Sequence, residues 1–387
     1  MRITHVITRL IIGGAQENTL SSVLGLRQKP GFEVQLISGP STGPEGSLES
    51  LDPRLLTVPS LVRPIDPRRD FLALRQLEHI FRASRPDLVH THSGKAGILG
   101  RLAARRAGVS VIIHHIHGPS FGNFQGPPAN FIFTGAEKYA AKVTTHFICS
   151  AQAMARLYLA AGIGKPEMYT RIFSGFELAP YLSATNDPGL RKNLGLAEND
   201  FVIGKIARLF KLKGHADLIA AFEKVLPKVP QARLLFVGDG SLRGELENQV
   251  RANGLAGKVI FAGLVSPSEV ARYVGITDCV AHLSSREALS RALPQALAAG
   301  KPVVAYGFDG ADEICLENET GFLVRTGDVD AAAGSLLRLA TDAGLRARLG
   351  ERGRKFVQEN FSVEKLVDEQ YALYLKLATD RLNRQHG

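Results

Sequence analysis

The sequence predicts an α/β protein of two doubly wound domains, each built on its own parallel sheet. Three observations carry that reading. At 387 residues the chain is long enough for two domains. Short apolar runs alternate with helical stretches along its length, the pattern of strand–helix–strand units. A breaker-rich seam, SGFELAPYLSATNDPGL over residues 174–190, interrupts the alternation near the midpoint with Pro180, Asn186, Pro188 and Gly189.

In the first half the expected strands are ITHVIT, EVQLIS, DLVHTH, VIIHHIH and HFICS, followed by the strand-like YTRIF just before the seam. In the second half they are FVIGKIA, RLLFVG, KVIFAG, DCVAHLS, KPVVAY and GFLV. Between them, stretches such as ADLIAAFEKVLPKV repeat apolar residues at three-to-four spacing, as an amphipathic helix does. The closing segment FSVEKLVDEQYALYLKLA reads as a long amphipathic helix. The domains are therefore expected over 1–176 and 177–365, with a helix over 366–387.

Composition narrows the function classes. Cys149, Cys279 and Cys315 lie far apart, with neither zinc-type nor disulfide-type spacing, so a cytoplasmic, reducing environment is expected. No apolar run is long enough to cross a bilayer. The formal charge of +10 is concentrated in residues 1–178, which hold 20 Lys and Arg against 12 Asp and Glu. Such a half suits an anionic partner, a phosphate or a lipid surface, or is a solvated Arg-rich surface. The lack of Trp and of basic clusters interleaved with aromatics argues against nucleic acid.

In open parallel sheets ligands sit beyond the carboxyl ends of the strands, so the chemistry is sought in the loops there. Gly13 and Gly14 follow the first strand and open a helix, where backbone N–H groups can approach a phosphate. Arg208, Lys211 and Lys213 follow the strand FVIGKIA and lead through Gly214-His215 into another helix. Cations converging there would neutralise the charge that builds up on a departing diphosphate. The Gly238-Asp239-Gly240 turn follows RLLFVG and lacks the third glycine of a dinucleotide fingerprint, so it suits a ribose- or phosphate-adjacent turn better than NAD. The fourth loop, SSREALSRALPQALAAGKPVVAYG, places Glu287 after a strand, with a helix expected to begin near Ser290. Ala288, Leu289, Ser290 and Arg291 would present amides to a phosphate, and Gln295 would reach ribose hydroxyls.

That last stretch resembles the signature of the retaining nucleotide-sugar glycosyltransferases of the GT-B fold, family 4: Glu, seven residues, Glu, then Ala-x-Ala-x-Gly-x-Pro-Val-Val. Here it stands as Glu287, seven residues, Gln295, then Ala296 to Val304. GGAQ, RPDLVHTH, HIHGPSF, GKIARLFKLKG, FVGDGSLR, FAGLVSPSEV and GFLVRTGD extend the resemblance over the whole chain. It implies two Rossmann-like domains facing across a cleft, an acceptor-binding domain over 1–176 and a nucleotide-sugar-binding domain over 177–365, with helix 366–387 packing back on the first.

It also implies roles. Gly14 is similar to the loop glycine that meets the donor diphosphate, and Arg208 and Lys213 to the pair that grips it. Glu287 resembles the acidic residue facing the donor sugar, where it orients the sugar, stabilises charge at the anomeric carbon or holds a hydroxyl. Leu289 and Ser290 match positions whose amides meet the phosphates, Gly263-Leu264-Val265 the strand end lining the base, and His117 the histidine near the reacting centre. Gln295 departs from the second Glu, binding a hydroxyl neutrally and with a donor of its own; Ala288-Leu289 replaces a commoner glycine-containing pair.

The expected activity is retaining, metal-independent, hexosyltransferase-like transfer from a nucleotide-diphosphate sugar, a UDP-sugar first, in bacterial polysaccharide, lipopolysaccharide or glycolipid assembly. The catalytic candidates are Glu287, His117, Arg208 and Lys213, with no cofactor. The rival readings are a nucleotide-sugar epimerase of the same fold and an inactive nucleotide-binding scaffold subunit.

Two tempting metal motifs are set aside at this level. His114-His115-x-His117 offers two ligands on one face of a strand, as do His90 and His92, short of a fixed zinc site. Asp328-Val329-Asp330 opens a helix, where Asp caps free N–H groups. PPANFIFTGAEKYAAKV, with aromatics beside lysines, reads either as a patch on an anionic membrane surface near a saccharide or lipid-linked acceptor, or as a helix packing its aromatics inward. The first of these would make the protein peripheral on the cytoplasmic face of the membrane.

Overall fold

The computed structural model describes residues 1–42 and 46–386, and the chain divides into two compact units. The first holds Met1–Phe176 and Phe361–Gly387, the second Glu177–Asn360. Each is a parallel sheet covered by helices on both faces, as near-continuous apolar strands require.

The first sheet has seven strands: β1 (Arg2–Ile7), β2 (Glu33–Ser38), β3 (Leu56–Thr57), β4 (Leu88–His92), β5 (Val111–Ile116), β6 (His146–Cys149) and β7 (Tyr169–Arg171). Its order is β3-β2-β1-β4-β5-β6-β7, all parallel, so the winding reverses between β1 and β4. Its helices are α1 (Gly14–Leu26), α2 (Pro67–Ser84), α3 (Gly94–Arg106), α4 (Pro127–Ala141) and α5 (Gln152–Ala160), joined by the C-terminal helix Val363–His386. The two-residue β3 was not expected; it is too short and too exposed to leave a pattern in the sequence.

The pleat sends alternate residues to opposite faces. Ile3, Ile7, Leu88, Val111, Ile113 and Ile148 pack against α1 and the C-terminal helix. Val6, Ile37, Val89 and Ile112 pack against α2 and α3. A Cβ on Gly25 of α1 would lie 2.4 Å from Val367 Cγ2, so the two covering helices need glycine to approach this closely. The chain returns to the first unit at Phe361, five residues before the expected boundary. Phe361 stacks on Phe173 at 4.4 Å, and its carbonyl accepts from the Phe176 amide at 3.0 Å.

The second sheet has β8 (Phe201–Ile206), β9 (Ala232–Val237), β10 (Val259–Gly263), β11 (Cys279–His282), β12 (Val303–Tyr306) and β13 (Gly321–Val324). Its order β10-β9-β8-β11-β12-β13 reverses between β8 and β11. The helices are α6 (Ala179–Leu182), α7 (Pro188–Asn193), α8 (His215–Val225), α9 (Arg243–Ala252), α10 (Val270–Gly275), α11 (Ala292–Ala298), α12 (Val329–Thr341) and α13 (Ala343–Asn360). Asp328 caps α12, accepting from the Ala331 amide at 2.9 Å, and Asp330 pairs with Lys224 at 2.8 Å. The Asp-x-Asp is thus structural. Cys149, Cys279 and Cys315 are free and buried. Among the described residues, no helix is long and apolar enough to cross a membrane.

Candidate functional site

The reversal between β8 and β11 is where two charged loops of the second unit meet. The loop after β8 carries Arg208, Lys211 and Lys213, and the loop after β11 carries Ser284 to Arg291. Their backbones are stitched together. The Leu212 carbonyl, on a residue with φ of 68°, accepts from the Ser285 amide and the Ser284 hydroxyl, both at 3.0 Å. Gly214 is left-handed at φ 69°, and a Cβ there would lie 1.6 Å from the Leu283 carbonyl oxygen. Only glycine lets the loops come this close.

This contact brings Lys213 and Glu287 into a direct ion pair, 74 residues apart in sequence and both about three-quarters buried at the side chain. The Glu287 amide donates to Asp309 Oδ2 at 2.8 Å, so the loop after β12 holds the carboxylate's backbone. Asp309 is itself left-handed at φ 51°, and burial raises its pKa. His282 Nε2 lies 4.0 Å from Glu287 Oε2. Below this pair are three buried basic groups without hydrogen-bond partners: Lys205 Nζ and both ring nitrogens of His215 and of His282. Burial pulls Lys205 down to about 7 and His215 to about 3, and holds His282 well below its ordinary value. The floor of the site is therefore rich in nitrogen groups and close to neutral.

Arg208 is exposed, its guanidinium 5.1 Å from the Phe210 ring centre. Gly238 ends β9 at φ 134°, where a Cβ would lie 2.2 Å from the Ala207 carbonyl, and its amide donates to Gly263 at 2.9 Å. Leu264 is 80% exposed, whereas Val265 is half-buried. The helix expected near Ser290 begins at Ala292. Ala288, Leu289 and Ser290 lie in an irregular loop, with Ala288 and Ser290 buried, and half-buried Gln295 follows on α11. Their amides belong to a loop that is held at Glu287 by the bond to Asp309.

In the first unit, Gly13 and Gly14 stand at the start of α1, whose first turn has no side-chain cap. Gly13 is extended at φ 169°, a conformation open to any residue. His117 follows β5 and is half-buried. It belongs to a larger group than the sequence disclosed. Register pairs His5 with His90 and His92 with His115, so these four and His117 share one sheet face beneath α1 and the C-terminal helix. Tyr374 of that helix hydrogen-bonds His90 Nδ1 at 2.5 Å, and His115 Nε2 meets Ser150 Oγ at 3.2 Å. His114 points to the other face, 3.0 Å from Thr91 Oγ1. Two triads, His5-His90-His92 and His92-His115-His117, bring ring nitrogens within 4.8 Å of one another. Register thus gathers the third ring that single-strand spacing does not supply, against the sequence expectation, and ring orientation decides what the histidines do.

Burial keeps these rings neutral: it pushes His117 down to about 3 and, with the Arg27 charge, His5 to about 3, and with repulsion from neighbouring rings it holds His90, His92 and His115 well below their ordinary range.

Two Rossmann-like units with an ion-paired site at the sheet reversal of the second define an α/β class in which ligands bind beyond the carboxyl ends of the strands. Residues 13–171 match the glycosyl transferase 4-like domain, and residues 186–356 match the glycosyl transferases group 1 domain. The chain belongs to this glycosyltransferase family, and its fold is GT-B. It is 27% identical, over 98% of each chain, to the UDP-Gal:alpha-D-GlcNAc-diphosphoundecaprenol alpha-1,3-galactosyltransferase of Escherichia coli. It is 28% identical to the putative glycosyltransferase EpsD of Bacillus subtilis, over 90% of this chain and 91% of that one. Among solved structures, HepE of Anabaena in complex with UDP and glucose superposes with a TM-score of 0.80 at 24% identity, covering 97% of this chain and 99% of that one.

The neutral histidines predict acid sensitivity. His5 titrates near 3 when folded and near 6.5 when unfolded, so its stabilising contribution is complete above about pH 6.5 and is lost as pH falls toward 3. By pH 5 the loss from His5 alone is about 2 kcal/mol. Thermal melts should show a drop of about 4 °C or more between pH 7.5 and 5.0; an unchanged or higher melting temperature at pH 5.0 would mean that the row is already charged in the fold.

Proposed function

We propose that the chain is a retaining, metal-independent glycosyltransferase that moves a hexose from a UDP-sugar to a hydroxyl of a lipid-diphosphate-linked saccharide. The observation that carries this reading is the Lys213–Glu287 ion pair at the carboxyl ends of β8 and β11. A diphosphate arriving there competes with Glu287 for Lys213. The carboxylate released is then available to the sugar, so donor binding itself prepares the site.

In the reaction the anomeric C–O bond breaks, and its electron pair leaves with the UDP β-phosphate oxygen. Lys213 and Arg208 stabilise that charge, the largest change on the path. Glu287 faces the positive character at the anomeric carbon or holds a sugar hydroxyl. The acceptor oxygen attacks from the face the leaving group vacates, and its proton passes to the departing phosphate. The Escherichia coli relative, whose donor is UDP-Gal and whose acceptor is a diphosphoundecaprenol-linked sugar, supports the donor and acceptor classes. HepE, solved with UDP and glucose, supports the same nucleotide.

A lipid-linked acceptor fits the outer face of α4. Phe131, Ile132 and Tyr139 are 81%, 62% and 60% exposed, beside the exposed Lys138 and Lys142. Helical spacing puts these five on one face, opposite the buried Glu137 and Ala140. Such a face pairs apolar insertion with attraction to anionic headgroups.

Incubation with UDP-, GDP- and ADP-sugars, with and without a lipid-linked acceptor and with EDTA throughout, should give an α-linked product from a UDP-sugar alone. Arg208→Ala and Lys213→Ala should lower kcat by roughly 10²-fold or more in protein that still folds, with Arg208→Ala leaving the melting temperature unchanged. A β-linked product, a converted donor without acceptor, or UDP binding without turnover would each reject the reading. In liposome flotation the wild type should rise with anionic vesicles, and Phe131→Asp with Ile132→Asp should remain at the bottom; equal flotation would remove α4 as the contact.

A further inference from the structure

The histidine row beneath α1 and the C-terminal helix contains an ordered chain of contacts. His5 Nδ1 lies 3.0 Å from His92 Nε2, and His92 Nδ1 lies 3.0 Å from His117 Nε2. The ring centres are 5.2 and 5.3 Å apart, with interplanar angles of 15° and 25°. Centres so much farther apart than the touching nitrogens mean that the rings lie end to end and nearly coplanar. Each contact is then an in-line N–H···N hydrogen bond.

A metal triad needs its lone pairs to converge on one point. In-line pairs direct theirs at each other. His115, the third member of the outer triad, stacks on His117 at 3.9 Å and 12°, which keeps its in-plane lone pairs parallel to those of His117. The arrangement favours a shared-proton chain over an ion.

A neutral imidazole has one N–H and one lone pair. His92 uses both ring nitrogens, so it donates to one neighbour and accepts from the other, and the whole chain has a single direction. The buried end decides which. His5 is fully buried and its Nε2 has no partner. If protons pointed inward, His5 would bury an N–H with no acceptor. If they point outward, His5 leaves only an under-used lone pair, the rarer fault being the orphaned donor. At the other end His117 is half-buried, so solvent or substrate satisfies either form.

We propose that His5 and His92 are positioning residues that fix His117 as its Nδ1–H tautomer. His117 thereby presents a hydrogen-bond donor, not a base, at the carboxyl end of the first sheet. Resting on the transferase reading above, this gives His117 the task of holding a substrate oxygen. The acceptor's proton must then leave by another route, as the transfer to the departing phosphate provides.

The tautomer can be read without turnover. In 15N-histidine-labelled full-length protein at pH 7.5, without ligand, long-range proton–nitrogen correlation should show pyrrole-like Nδ1 and pyridine-like Nε2 at His117. Nitrogen–nitrogen coupling across hydrogen bonds should link His5 to His92 and His92 to His117. His92→Leu should shift His117 toward a tautomer mixture and lower kcat by roughly 10²-fold. His92→Asn, whose amide N–H can still reach His117 Nε2, should restore both. Pyrrole-like Nε2 at His117, missing couplings in folded protein, or loss of the shared N–H signals on stoichiometric Zn²⁺ would overturn the proposal. If His92→Leu fails to fold, the wild-type spectrum alone decides. Absent transfer with the expected tautomer would reject the transferase reading and leave this one standing.

Discussion

The second unit is organised around one electrostatic contact made possible by one steric permission. Lys213 meets Glu287 only because Gly214 lets the loop after β8 run against the Leu283 carbonyl at the end of β11. The Leu212 carbonyl and the serines of the opposing loop hold that approach, and Asp309 fixes the Glu287 backbone from a third strand end. Three loops from β8, β11 and β12 thus converge on a pair that is largely withdrawn from water. Partly buried pairs are screened less than exposed ones, so the contact is worth more than a surface ion pair and responds more strongly to a new anion.

The first unit follows a related plan with different chemistry. Its sheet also reverses, between β1 and β4, and Ser93, left-handed at φ 63°, closes the turn after β4 by bonding Thr8 Oγ1 at 2.8 Å. Instead of a charged pair, this unit gathers neutral imidazoles on the face covered by the returning C-terminal helix. Tyr374 from that helix reaches His90, so the last segment of the chain completes the polar interior of the first unit.

Much of this was legible in the sequence. Short apolar runs disclosed twelve of the thirteen strands, because parallel strands buried on both faces must be apolar; β3 escaped, being two exposed residues long. The breakers around Pro180 and Gly189 marked the crossing into the second unit. Arg208, Lys213 and Glu287 were legible as loop charges at strand ends, and Asp328 as a cap. Three things were not. The start of α11 at Ala292 lies past a loop that Asp309, 22 residues away, holds through the Glu287 amide. Buried Lys205 reads as an ordinary strand lysine until the floor of the site is assembled. The histidine row requires the register of β1, β4 and β5, which no single-strand pattern contains. Local periodicity gives the face a residue takes, and only pairing gives its neighbours.

The proposed transfer turns on whether an arriving diphosphate displaces Glu287 from Lys213. The most direct measurement is the affinity of UDP, without sugar, for the wild type and for Glu287→Gln by calorimetry. Removing the carboxylate's charge frees the lysine, so UDP should bind several-fold tighter to the variant while transfer is impaired. Weaker UDP binding in a folded Glu287→Gln protein would contradict it.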